Sequence, residues 1–281
     1  MRCIGVGVAL LLLMAAVAQA VCVTGTWDGV KPNGGINVTV TYPLYDLKTG
    51  QYTGQASEGT VAGIYTFKSA TWYDGARLDE AGNATGQKIT DPSYPTYMYA
   101  FCIDLRQNIA PPNVNSWYLA PDIHAPVPGP YGNPMTVAQA TLLEELFGNY
   151  YQGAFDGKGF GPGNPNKNPV IEAAAFQVAV WETVWEQAGN PLEVNALMRA
   201  SRGKLYVNCG WPAADRADYM LNHLDPTKHL ALAALVDPKH QDQIILLPGG
   251  SFHQAPEPLT LMGLLMGVGG LMHYVRKRRT A

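Results

Sequence analysis

Tyr97-Met98-Tyr99-Ala100-Phe101-Cys102-Ile103-Asp104 and Val170-Ile171-Glu172-Ala173-Ala174-Ala175-Phe176-Gln177-Val178-Ala179-Val180-Trp181-Glu182 have different periods, and the change between them decides the fold class. In the first, Tyr97, Tyr99, Phe101 and Ile103 alternate with Met98, Ala100 and Cys102, as the two faces of a β-strand do. The second follows Asn168-Pro169, a capping residue and a proline suited to the first helical position, and reads as a helix to about Gln187.

Working outward, residues 34–105 hold short alternating runs rich in Val, Thr, Ile and aromatics, separated by Gly, Asn and Asp clusters. Ile36–Tyr42, Thr60–Tyr73 and Thr96–Leu105 are the predicted strands, in an antiparallel sheet. After a Pro-rich passage from Ala110 to Pro134, Thr136 and Gln139 form a capping box, and Ala140, Leu143, Phe147 and Tyr150 recur at helical spacing. A short helix near Ala213–Leu224 and a last strand at Gln243–Leu247 follow. The run Gly157–Asn168 contains Gly157-Lys158-Gly159 without the strand, loop and Lys-Ser/Thr order of a P-loop, and reads as a linker. The expected fold class is α+β: an antiparallel β-rich first half, then a small helical part, with an N-terminal signal peptide and a C-terminal single-span helix.

The balance of 19 Lys+Arg against 22 Asp+Glu, a formal charge of −3, provides no footprint for nucleic acid. The ends carry more information. Met1-Arg2, the apolar run Ile4–Val17 and Ala18-Gln19-Ala20 make a signal peptide over residues 1–20, cleaved after Ala20. Val21 before Cys22 is not the small residue that a lipoprotein signal needs. At the other end, Pro256-Glu257-Pro258 precedes an apolar segment, 259–275, and the basic cluster Arg276-Lys277-Arg278-Arg279. That segment is near the lower limit for crossing a hydrocarbon core of about 30 Å. The cluster holds its end in the cytoplasm, leaving residues 21–254 as an ectodomain on the outer face.

The order Pro-Glu-Pro, Leu/Gly-rich helix and terminal basic cluster resembles the PEP-CTERM sorting signal of Gram-negative bacteria, over residues 255–281 only. The resemblance implies export through the inner membrane, transient anchoring, and processing by exosortase. The destination would be the cell surface or the extracellular polysaccharide matrix of a biofilm. Without it, the tail reads as an ordinary single-span anchor, with Gly263-x-x-x-Gly267 available for dimerisation.

Of the 4 cysteines, signal cleavage removes Cys3 and leaves Cys22, Cys102 and Cys209, an odd number in an oxidising compartment. No CxxC spacing or Cys/His cluster points to a metal, and no cofactor is expected. Gln177 is the second oddity. Its helical neighbours Ala173, Ala174, Val180 and Trp181 are apolar, so its amide faces the core and must find a partner or be chemically changed. Trp181 and Trp185 read as core residues, and Glu182 and Glu186 as a solvated face.

Phe101-Cys102-Ile103-Asp104 and Gln177-Val178-Ala179-Val180-Trp181 together resemble the thioester domain of Gram-positive surface adhesins, in which a strand cysteine pairs with a helix glutamine. The resemblance implies an internal Cys102–Gln177 thioester, an electrophile that an amine- or hydroxyl-bearing partner opens to become joined to Gln177. Such acyl transfer happens once per molecule and is not enzymatic turnover. With Cys102 so used, Cys22 and Cys209 remain as an even pair and a predicted disulfide. The structural alternative for the first pair is a buried thiol and an amide bonded to a strand carbonyl.

A cysteine hydrolase would need a histidine base, yet His124, His223, His229, His240 and His253 form no Cys/His signature, and the protein is not expected to be an enzyme. The alternative function is a non-covalent polysaccharide-binding or structural matrix protein, with Trp72, Tyr73, Trp117 and Tyr118 as candidate stacking rings unless they fill the core.

Overall fold

The alternating runs of the first half pair with one another as expected. In this computed structural model, which describes residues 21–45, 52–78, 84–105, 114–120, 122–123, 135–156, 158–159, 161–186, 192, 205–208, 211–237 and 241–247, the first two strands make a long antiparallel hairpin. They are β1 (Val21–Tyr45) and β2 (Tyr52–Leu78). The hairpin is irregular between Lys31 and Ile36, where Gly35 has φ +74° and lies so close to the carbonyl of Ala62 that a Cβ would collide. Beyond this bend the hairpin continues over the helical part.

Short strands β3 (Ala84–Lys88), β4 (Met98–Cys102) and β5 (Val114–Ala120) follow, then α1 (Val137–Asp156), α2 (Pro169–Trp185), β6 (Tyr206–Asn208), α3 (Trp211–Asn222), β7 (Leu232–Val236) and β8 (Gln243–Leu246). Pairing runs β1–β2–β4–β8–β7–β5 and back to β1, so six antiparallel strands close on themselves. Closure removes the open edges these strands would otherwise present. Phe67 of β2 and Trp117 of β5, on strands that are not ladder neighbours, meet edge to face at 4.9 Å across the interior.

The coarse expectation of an α+β protein with a β-rich first half therefore describes this chain, with two corrections. First, β5 lies inside the passage read as Pro-rich, β6 lies between α2 and α3, and β7 lies between α3 and the last strand. The reasons are local. β5 buries Asn115 and Ser116, which breaks the alternation, and β7 is an almost continuous buried apolar run, Leu-Ala-Ala-Leu-Val, with no strand period to read. Second, the described part of the linker Gly157–Asn168 carries its own hydrogen bonds. Gly161 and Asn164 form a bridge, and the Asn164 side-chain amide donates to the carbonyls of Gly159 and Asn168 and to Glu172.

Both helix starts are built as read. The Thr136 N–H donates to Gln139 Oε1 at 2.9 Å while Gln139 N–H donates to Thr136 Oγ1 at 3.2 Å, and Asn168 Oδ1 accepts from Val170 N–H at 3.0 Å. α2 is the central helix: Glu172 and every residue from it to Trp185 are buried. A helix enclosed on all sides must be apolar all round, which explains its Ala- and Val-rich sequence. The predicted signal peptide (1–20) and the tail with Pro256, Glu257, Pro258 and Arg276–Arg279 lie outside the described residues. Among the described residues, no helix is long and apolar enough to cross a membrane.

Candidate functional site

β4 delivers Cys102 and α2 delivers Gln177 to one place. Both are 0% exposed. The Cys102 N–H donates to Gln177 Oε1 at 3.0 Å, and Gln177 Nε2 donates to the Cys102 carbonyl at 2.9 Å. The strand ladder explains why those peptide groups are available. β2 pairs with β4 as far as Tyr65 opposite Ala100, and the pairing ends there. The planar glutamine amide, using one N–H and its oxygen, takes the place of the next strand residue at Cys102.

Past β4 the remaining carbonyls are met by side chains. Trp185 Nε1 donates to the Ile103 carbonyl at 2.8 Å, and Gln241 Nε2 donates to the Asp104 carbonyl at 2.8 Å. The Ile103 N–H donates to the Asp242 carbonyl at 3.0 Å. The Cys102 thiol donates to the Asp104 carbonyl at 3.2 Å. Phe101 packs against Phe147 and Phe176, ring centroids 5.5 and 4.7 Å away, which anchors the strand to α1 and α2.

Burial pushes the Cys102 thiol well above its ordinary range, and the charges of Asp104 and Asp242 push the same way. The Trp181 indole opposes them by favouring the thiolate. The described histidines are occupied elsewhere, His223 with the Tyr219 carbonyl and His229 with that of Pro226. His124, His240 and His253 lie outside the described residues. Among the described residues, no group of His, Cys, Asp and Glu could hold a metal.

Other predicted positions fare differently. Cys22 is a buried free thiol whose strand pairs with Tyr73 and Tyr118. Its predicted disulfide partner Cys209 lies outside the described residues. Trp181 and Trp185 are core residues, as expected. Glu182 and Glu186 are not a solvated face but are 1% and 4% exposed, because α2 has no solvent side; Glu186 Oε2 accepts from Leu205 N–H at 3.1 Å. Trp72 and Trp117, candidate sugar-stacking rings, are buried, with their indoles bonded to the carbonyls of Pro95 and Gln241.

The sequence reading missed Glu172 and Arg216. They form a buried two-point ion pair, Arg216 Nε to Glu172 Oε2 at 2.9 Å and Nη2 to Oε1 at 2.8 Å, tying the first turn of α2 to α3. Glu172, in the first turn between Ile171 and three alanines, was the available signal. Compared with family models, curated proteins and solved structures, the chain matches none.

Proposed function

We propose that this is an exported surface or matrix protein in which Cys102 and Gln177 condense to an internal thioester used for covalent attachment. The single observation that carries the reading is the pair of reciprocal hydrogen bonds that hold the Gln177 amide against Cys102. In the condensation the Cys102 sulfur attacks Gln177 Cδ, the C–S bond forms, the C–N bond breaks, and ammonia leaves with the thiol proton. An external amine or hydroxyl then attacks the same carbon, and Cys102 departs as the leaving group. Full burial shields the bond from water, so the partner gains access only when the cover over the pair opens. Export by a signal peptide, exosortase processing at Pro256-Glu257-Pro258 and a Gram-negative surface destination belong to the same proposal and rest on the sequence of the two ends.

The test is the intact mass of the purified full chain, with Cys102→Ala as control and methylamine as nucleophile. The expected wild-type mass is short by one ammonia and rises by one methylamine on treatment, and the variant shows neither change. A mass with no such loss, together with a Cys102 that alkylates once the protein is unfolded, would sink the reading.

A second reading, a non-covalent glycan-binding module, is favoured by a different set of rings from those expected. A groove of about 280 Å³ is lined by Tyr97, Tyr99 and Tyr151, with Phe155 edge-on to Tyr99 at 4.6 Å. Binding of purified polysaccharide, lost in Tyr99→Ala and kept in Cys102→Ala, would establish it.

A further inference from the structure

Trp181 Nε1–H is buried and has no hydrogen-bond partner. Trp185, one turn further along α2, uses the same atom to bond the Ile103 carbonyl. A buried donor left unpaired is costly and uncommon, and such groups recur where chemistry needs them. Trp181 stands four residues after Gln177, so the two side chains leave the same helix face.

Gln177 is held against Cys102, and the Trp181 indole one turn on favours the charged form of the Cys102 sulfur. Its geometry nevertheless falls short of a hydrogen bond to the resting thiol, whose own proton goes to the Asp104 carbonyl. The contrast has a chemical reason. A neutral thiol and a thioester sulfur are both weak acceptors and a thiolate a strong one, so the N–H is engaged only when sulfur carries charge. An interaction that is stronger in the transition state than in the ground state accelerates the step it accompanies.

We propose that Trp181 is the hydrogen-bond donor to the Cys102 sulfur in acyl transfer, its Nε1–H holding the developing thiolate as the bond to Gln177 breaks. This rests on the thioester reading above. In the step, the nitrogen of an incoming amine bonds to Gln177 Cδ and the C–S electron pair passes to sulfur. The proton shed by the amine then restores the Cys102 thiol, and the Trp181 N–H is never lost.

The experiment compares wild type and Trp181→Phe, which keeps an aromatic ring and removes the N–H, as full chains treated with methylamine. Intact mass over time reads the capture rate, and peptide-resolved alkylation against pH reads the ionisation of Cys102 after opening. The expected result is that both chains begin one ammonia short, that the variant captures methylamine roughly 10²-fold more slowly, and that its Cys102 ionises at higher pH. Equal rates and equal ionisation, with the ammonia missing from both chains, would overturn the role of Trp181 and leave the thioester standing. A wild-type mass with no ammonia missing would overturn the thioester and the role of Trp181 with it. Should Trp181→Phe fail to fold, the Trp181 indole ¹H–¹⁵N resonance of wild type is followed instead. A downfield move on opening by methylamine is expected, and no move overturns the proposal.

Discussion

Gln177 is bonded to both peptide groups of Cys102, accepting from its N–H at 3.0 Å and donating to its carbonyl at 2.9 Å, so a helix side chain completes a strand ladder. In Gln177→Ala both peptide groups are left unpaired in a site without solvent. Each orphan costs about 1–3 kcal/mol, so a loss of about 2–6 kcal/mol is expected in urea unfolding of chains that carry no thioester. Gln177→Glu, at a pH low enough to protonate the carboxyl, presents an acceptor oxygen and an O–H donor in place of the amide, and should fall between alanine and wild type.

The buried Glu172–Arg216 pair leads to a different expectation. Removing one partner strands the other charge, so Glu172→Ala should destabilise by about 3–5 kcal/mol. Replacing both together, Glu172→Leu with Arg216→Met, should recover most of that loss, because the desolvation of two charges disappears with them. Thermal or urea unfolding of the two single variants and the double variant measures the difference. If the double variant were no better than the worse single one, the ion pair would not be the dominant interaction at that site.

The helix start at Thr136 offers a smaller, local effect. Thr136→Ala removes the acceptor for Gln139 N–H and should cost about 1 kcal/mol, seen as a lower urea midpoint with an unchanged slope. Gln139→Ala should cost more, since its Nε2 also donates to the Val184 carbonyl at 2.8 Å and so ties α1 to the end of α2.

Cys22 provides a pH test. Burial pushes its thiol up from 9.0 to about 11. The folded state therefore keeps a proton that the unfolded state has lost, and the contribution of Cys22 to stability is complete below about pH 9 and disappears as pH rises to about 11. Stability of wild type should fall more across that window than stability of Cys22→Ala, as measured by urea midpoints at about pH 8 and about pH 11. Parallel curves would mean that the thiol titrates alike in both states.

Sequence alone carried the parts of this protein whose signals are short-range. The capping box at Thr136 and Gln139, the Asn168-Pro169 start and the period-two strand ending at Cys102 each lie within a few residues, and each was legible because local hydrogen bonds and side-chain alternation need no distant partner. The interior position of Gln177 was legible for the same reason, from its apolar neighbours at helical spacing. Tertiary structure decided what those elements meet. It set Gln177 against Cys102 across 75 residues, Glu172 against Arg216 across 44 and Trp117 against Gln241 across 124. It also closed six strands into a ring, so that the apolar run Leu232–Val236 became a strand, and it surrounded α2 so completely that Glu182 and Glu186 are buried. Periodicity reports which side of an element avoids water, but a helix enclosed on every side and a strand buried on both faces have no wet side to mark, and only the packed chain reveals them.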